Sequence, residues 1–239
     1  YMEMENENYE SELQYEIYQS KIALVIPIKL KNERLPGKTF LPLHNKPLCE
    51  YTFDRCVQFK IHMKNNFNIN IDLYVYCSDD EICNWLPNPH ITFVQRPKLL
   101  DDNNILMNQV LSSFEDTIKA DIYLVQFITC PYLKVSSMVN AFEQLIQCGL
   151  DSIYSIQKIS SFVDYDHHAL NYNPKAVERT QDIKHIEIHS NSFYFMCKNV
   201  IKMGRRTGHA PASYIVSDIE AIDIDTESDL LFANMIKIP

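Results

Sequence analysis

Residues 22–28 read IALVIPI, seven apolar residues in a row and rich in β-branched side chains. A strand with one wet face alternates apolar and polar residues. An unbroken apolar run of strand length is instead covered on both faces, the pattern of a parallel strand inside an α/β layer structure. The same signature recurs outward along the chain, at 71–77 (IDLYVYC), 91–94, 121–128 (DIYLVQFI) and 151–156. Between these runs lie helix-spaced segments. Residues 47–59 place Leu48, Tyr51, Cys56 and Phe59 near one face, residues 104–118 form a second, and residues 135–148 a third that stops at Gly149. Ser78-Asp79-Asp80 reads as a helix start with acids at the positive end of the dipole. Strands alternating with helices predict an α/β sandwich with a mostly parallel sheet.

The rhythm breaks after Gln157, where a polar stretch reads as an insertion over about 158–190. Strand-like segments resume at 185–197, 213–216 and 219–224. Thr226-Glu227-Ser228-Asp229 is a capping box that opens a last helix over 230–236. The whole is one domain over residues 21–239, preceded by a tail.

That tail, residues 1–20, carries six glutamates and no Lys or Arg, and reads as an acidic, solvated, disordered leader. Tyr1 in place of methionine points to a processed or truncated start. Removing the six glutamates from the net charge of −9 leaves −3, so the body is nearly balanced. A nucleic-acid-binding surface, which needs a basic excess to displace counterions, is not expected. No apolar run approaches the roughly 20 residues of a membrane span, and no secretory signal is visible. Seven scattered cysteines without a C-x-x-C pair read as buried free thiols in a reducing, cytoplasmic setting. Only four glycines occur, so GxGxxG and GxxxxGK[ST] nucleotide loops are excluded.

Two clusters can carry chemistry. Lys29, Lys31, Arg34 and Lys38 follow the first strand, where open α/β sheets bind ligands, and Pro36-Gly37 tightens their loop. Four cations there can neutralise a polyphosphate without a glycine repeat; a solvated basic loop is the plainer alternative. In Asp223-Ile224-Asp225, residues i and i+2 of an extended chain share a face, so both carboxylates can converge on one Mg²⁺; solvated acids at a strand end are the alternative. His167-His168 reads as part of the polar insertion, His185 and His189 as structural, and Trp85 as a core or helix-end residue. Arg205-Arg206, between Gly204 and Gly208, serves a substrate anion or a helix end.

The order of motifs resembles a known family. Ile26-Pro27, Arg34-Leu35-Pro36-Gly37-Lys38 and Asn45-Lys46-Pro47-Leu48 are similar to the IPAR, RLPGK and GKP opening of the cytidylyltransferases that activate acidic sugars. Cys77-Ser78-Asp79-Asp80-Glu81-Ile82 resembles their STDDEEI, Val94-Gln95-Arg96-Pro97 their valine-x-Arg-Pro, and Val125-Gln126 with Thr129-Cys130-Pro131-Tyr132-Leu133-Lys134 their LQPTSPLR. Asp223-Ile224-Asp225-Thr226-Glu227-Ser228-Asp229-Leu230 is close to the DIDTEEDL of the acylneuraminate (CMP-sialic acid synthetase) branch, and Arg179-x-Gln181-Asp182 to its RxQD. The ketodeoxyoctonate branch carries an acidic GDEP after Val-Gln, which is absent here.

The resemblance implies a three-layer nucleotidyltransferase (Rossmann-like) sandwich with a mostly parallel sheet and an inserted dimerisation segment. It implies transfer of CMP from CTP to sialic acid or another nonulosonic 2-keto sugar acid, with release of pyrophosphate. Ketodeoxyoctonate or another acidic acceptor, or nucleotide binding without turnover, are the alternatives. On the same basis Lys29, Leu30, Asn32, Arg34, Lys38 and Arg96 hold the nucleotide. Gln126, Thr129, Arg179, Gln181 and Asn191 hold the sugar, and Asp223 and Asp225 hold Mg²⁺. Lys29, Arg34, Lys38 and Asp225 are the catalytic set, the sugar proton passing to Asp225 or to bound water. A homodimer is implied, with no nucleic acid and no membrane. Lys29 replaces the arginine of IPAR and loses its bidentate fork. Asn191-Ser192-Phe193 replaces Asn-Gly-Ala, and the missing glycine at Ser192 marks where this chain is expected to differ from its relatives.

Overall fold

The structure, a computed structural model, describes residues 19–87 and 89–237; the acidic leader lies outside them but for Gln19 and Ser20. In chain order the strands are β1 (Ile22–Ile28), β2 (Pro42–Leu43), β3 (Lys46–Pro47), β4 (Asp72–Cys77), β5 (Ile91–Gln95) and β6 (Ile122–Gln126). They continue with β7 (Ser152–Ile159), β8 (Asp164–Tyr165), β9 (His168–Ala169), β10 (Ile186–Cys197) and β11 (Pro211–Ile215). The helices are α1 (Leu48–Phe67), α2 (Met107–Thr117), α3 (Val135–Gln147), α4 (Lys198–Lys202) and α5 (Glu227–Met235).

Seven strands form one sheet in the order β11-β7-β10-β6-β1-β4-β5. β10 runs antiparallel to both neighbours, and every other pairing in this sheet is parallel. β1 is buried along its whole length, and its side chains divide by parity. Ile22, Leu24, Ile26 and Ile28 pack with Phe53, Phe59 and Met63 of α1 and with Met138, Phe142 and Leu145 of α3. Ala23 and Val25 pack on the other side with Val110, Leu111 and Phe114 of α2 and Val200 and Ile201 of α4. A sheet between two helical layers is the expected three-layer sandwich, and it explains why the β1 sequence is apolar at every position.

The chain leaves β1 toward β4 and β5 and later returns to β6 on the other flank. The crevice at the carboxyl ends of β1 and β6 is therefore the switch point where open α/β sheets bind ligands. The ladder from β1 to β4 continues to Ile28, but the ladder to β6 stops at Val25. Pro27, which has no N–H to contribute, sits just past that stop, where the two strands part.

Several expected boundaries shift. The first helix runs to Phe67 and ends with Asn68 in the left-handed region. The third ends as expected, with Gly149 at φ 59 just beyond it. The acids after Ser78 open a 3₁₀ segment, Asp80–Trp85, in which Asp79 accepts from the Glu81 N–H. The excursion between β7 and β10 is shorter than expected at both ends, because β7 continues to Ile159 and β10 begins at Ile186. It contains the β8–β9 hairpin, whose turn holds Asp166 and His167 at positive φ. All seven cysteines are free, but not all are buried. Cys49, Cys56, Cys77 and Cys130 are in the interior, Cys197 is half-buried, and Cys83 and Cys148 are exposed, on the short 3₁₀ segment and at the cap of α3.

Candidate active site

The loop after β1 is shaped by one tight turn. Lys38 donates its backbone N–H to the Leu35 carbonyl at 3.1 Å, with Pro36 and Gly37 at the two central positions. Gly37 has φ 70 and ψ 11, the geometry of the third residue of a type II turn, which glycine adopts without strain. The turn brings the Lys38 side chain inward. Its Nζ lies 2.8 Å from Asp225 Oδ1, while the Arg34 guanidinium lies 2.9 Å from Asp225 Oδ2. Each carboxylate oxygen thus takes one cation, Lys38 from a buried position and Arg34 from an exposed one. Lys29 donates to Asn103 Oδ1 at 2.5 Å, a neutral partner that leaves its charge in place. Asn32 ties the loop together by donating to the Lys29 carbonyl at 2.9 Å, and Leu30 packs onto the core beneath. Lys31 is exposed.

Asp223 and Asp225 are carried by a different local structure from the one expected. No strand forms over 219–224: the chain turns at 218–221 and then runs irregularly to 225. The reason is Glu220. Its buried carboxylate accepts from the Ser217 N–H and hydroxyl, from the Lys134 N–H and from the Ser137 hydroxyl. The turn is thereby clamped to the start of α3 and offers no ladder edge. Ile224 is fully buried and donates its N–H to the Thr129 carbonyl at 2.8 Å, and the two carboxylates flank it. The capping box stands as expected, with Thr226 and Asp229 bonded reciprocally.

The Thr129 and Asn191 side chains lie near Asp223, yet among the described residues its buried Oδ1 has no hydrogen-bond partner. Burial pushes its carboxyl above the usual range. The charge of Asp225 adds to this, while the nearby Thr129 and Asn191 side chains and Lys38 oppose it. Asn191 reaches this position from a bulge. The β10–β7 register shifts between His189 and Tyr194, and Asn191 sits there at φ 57, a conformation asparagine tolerates better than most residues. Ser192, where a glycine was missed, is not in the left-handed region. It is fully buried and donates to the Glu220 carbonyl at 3.0 Å.

Beyond Asn191 lies an aromatic wall that sequence reasoning did not single out. The Tyr194 hydroxyl donates to Asn191 Oδ1 at 3.0 Å, Tyr154 stacks on His189 with centroids 4.4 Å apart, and the Arg206 guanidinium lies 4.6 Å above the Tyr194 ring. Arg206 also donates to Asn108 at 3.0 Å. Gln126, the last residue of β6, is buried, as is Arg55 of α1, which donates to it. Arg55 gave no sequence signal beyond a charge on the apolar face of a helix.

Three expected residues fall outside this cluster. Arg96 is buried and ion-paired with Asp101 at 2.6 Å, in a knot with Lys98 and Ser78. Arg179 pairs at 2.6 Å with Asp182, and it and Gln181 are exposed on the excursion; among the described residues neither bonds to the Lys38–Asp225 group. No cluster of three or more His, Cys, Asp or Glu side chains able to hold a metal occurs among the described residues. His167 and His168 are exposed at the hairpin turn, and Trp85 closes its 3₁₀ segment by stacking on Phe40. No described helix is long and apolar enough to cross a membrane.

A mostly parallel sheet sandwiched by helices, with a cationic loop at the switch point, defines an α/β nucleotidyltransferase-like fold. Solved structures agree. CMP:2-keto-3-deoxy-manno-octonic acid synthetase complexed with CTP superposes with a TM-score of 0.61 at 15% identity, covering 90% of this chain and 98% of that one. The 4-diphosphocytidyl-2C-methyl-D-erythritol synthase of Anaerococcus prevotii gives 0.62 at 12% identity, over 92% and 96%. The bifunctional IspDF of Campylobacter jejuni gives 0.61 at 15%, over 89% of this chain and 54% of that one. The chain belongs to the cytidylyltransferase family, whose profile matches residues 23–230. A curated relative, N-acylneuraminate cytidylyltransferase A of Danio rerio, is 23% identical over 141 residues. That alignment covers 56% of this chain and about a third (33%) of the relative.

Proposed function

We propose that this chain transfers CMP from CTP to a 2-keto sugar acid of the nonulosonic type, releasing pyrophosphate. The observation that carries the reading is the Arg34–Asp225–Lys38 group beside the unpartnered oxygen of Asp223, at the mouth of the β1–β6 crevice. The names of the zebrafish relative and of the CTP-bound synthetase support the substrate class. The anomeric hydroxyl oxygen attacks the α-phosphorus, the bond to the bridging oxygen of the β-phosphate breaks, and pyrophosphate leaves with the electron pair. The hydroxyl proton passes to Asp225 or to solvent. Arg34 and Lys38 outnumber the one carboxylate they share, Lys29 stands nearby on a neutral partner, and that surplus of positive charge suits a polyphosphate. Phosphoryl transfer of this kind is mostly positioning and charge neutralisation.

Mg²⁺ fits the residues present. It commonly takes one or two protein carboxylates and completes its shell with phosphate and water oxygens, and Asp223 holds a buried oxygen with no other partner. Held by Asp223 and Asp225, it would supply Lewis-acid polarisation of phosphate oxygens. Gln126, Thr129, Asn191 and the Tyr194 wall line the side of the crevice we assign to the sugar acid. The excursion carries exposed Phe162, Tyr165, Leu170 and Val177, and we assign it to a homodimer contact. Free thiols suit a reducing compartment such as the cytoplasm.

The test is a panel assay. Purified protein with CTP, Mg²⁺ and a set of nonulosonic acids, ketodeoxyoctonate included, should release pyrophosphate and yield a CMP-sugar detected by mass. Asp225→Asn should lower turnover by roughly 10²–10³-fold, the scale for one electrostatic group acting on the transition state. Silence across the panel from folded, CTP-binding protein would overturn the catalytic reading.

A further inference from the structure

Arg55 is a charge placed where a leucine or methionine would pack as well. It is 4% exposed on the sheet-facing side of α1. Its guanidinium donates to the Pro131 carbonyl at 3.0 Å, to Thr52 Oγ1 at 2.9 Å, and twice to Gln126 Oε1, at 3.3 and 3.2 Å. None of these acceptors is a carboxylate, so the charge is buried without an ion-pair partner in hydrogen-bond reach. Such a group is a poor choice for stability alone.

Its effect on Gln126 is specific. A guanidinium has donors and no acceptor, so the atom of the Gln126 amide that meets it must be the oxygen. The NH₂ group is thereby turned the other way. It is buried, and among the described residues no protein group accepts from it. Gln126 is the final residue of β6, at the edge of the crevice, and pairs in register with Phe193, two residues beyond Asn191. Cys130 lies close enough to sense both Arg55 and Asp223, so the arginine, the amide and the aspartate belong to one neighbourhood.

We infer that Arg55 is a positioning residue that fixes the polarity of the Gln126 amide, making its NH₂ an obligate donor to an acceptor oxygen, carboxylate or hydroxyl, of the acidic substrate. The inference rests on the reading above that the sugar acid occupies this side of the crevice. Without the two bonds from Arg55 the amide could turn over and present its oxygen, which repels a carboxylate.

Two variants test it. Gln126→Glu gives Arg55 an anionic partner and removes the NH₂; Arg55→Lys keeps the charge and removes the fork. In the steady state, both should raise the KM for the sugar acid at least tenfold while the KM for CTP stays within twofold. Gln126→Glu should melt no lower than wild type, which a merely structural glutamine would not allow. An unchanged acid KM in folded Arg55→Lys, or equal shifts in both KM values, overturns the inference. Should no acid turn over, the side-chain amide protons of Gln126 still report. Identified in ¹⁵N–¹H spectra by their loss in Gln126→Glu, they should be two resolved, solvent-protected signals in wild type and should broaden or exchange in Arg55→Lys. That pattern keeps the role of Arg55 even if the acceptor reading fails. A pair unchanged in Arg55→Lys removes it.

Discussion

Glu220 and Asp223 lie three residues apart on the chain that enters the site, both carboxylates withdrawn from water, and their environments are opposite. Every hydrogen bond that Glu220 makes comes from the protein itself. Burial alone would raise its pKa, but the bonds from Ser137, the Lys134 N–H and Ser217 prevail and hold it below the ordinary glutamate value. Asp223 has the Thr129 and Asn191 side chains nearby but, among the described residues, keeps a buried oxygen without a partner, and burial pushes it upward. One carboxylate is satisfied by the fold; the other keeps a buried oxygen that no described protein group bonds. Position in the sequence does not separate them. Their donors do.

The strongest way to break this contrast is to neutralise Asp223. Asp223→Asn removes a buried charge that the folded state tolerates poorly, so its melting temperature should equal or exceed that of wild type. Turnover should fall by roughly 10²–10³-fold, the scale for losing a group that acts on the transferring phosphoryl. Thermal unfolding and pyrophosphate release measured on one preparation check both halves. A variant that loses stability and activity together would place Asp223 with Glu220, among the structural carboxylates.

The mirror experiment is Glu220→Gln. Its amide turns an NH₂ toward donors, so several charge-assisted bonds are lost at once. A destabilisation of about 3 kcal/mol is expected from such bonds, or a melting temperature lower by about 6–12 °C for a chain of this size. CTP binding by the surviving folded protein should change little. The pH dependence has a definite sign. The folded pKa of Glu220 lies below its ordinary 4.5, so its contribution is fully present above about pH 4.5 and is lost as pH falls through the folded value. Wild type and variant should therefore converge in stability in acid, which denaturant titrations at pH 7 and below 4.5 would show.

The sequence was legible where periodicity was long. The unbroken apolar run at 22–28 foretold cover on both faces of the sheet, and the Pro-Gly turn and the capping box were local signals that local chemistry fulfilled. The paired aspartates were read from a strand that does not form: the chain turns at 218–221 and runs irregularly to 225. What set that segment was Glu220, whose donors come from residues 134 and 137, and no nearby pattern announces a contact of that range. Arg55 was invisible for the same reason, since its meaning depends on Gln126, 71 residues away. Arg96 shows the limits of distance-blind motif reading. A motif match placed it among nucleotide ligands, and the structure pairs one of its nitrogens with Asp101.

Ser192 yields the smallest expected effect and joins the two carboxylates. The missing glycine marked Ser192 as the expected point of departure, but the residue that adopts positive φ is Asn191, and Ser192 contributes a hydroxyl to the Glu220 carbonyl. The serine thus ties the satisfied carboxylate's turn to the bulge that aims Asn191 at Asp223. Ser192→Gly loses one hydrogen bond and gains the conformational entropy of glycine in the unfolded chain, together about 1–2 kcal/mol. If the bulge is held mainly by Asn191 and the strand ladders, the KM for the sugar acid should stay within twofold while the melting temperature drops by a few degrees. A tenfold rise in that KM with stability unchanged would show instead that the Glu220 turn sets the aim of Asn191, and that the two carboxylates are coupled through this serine.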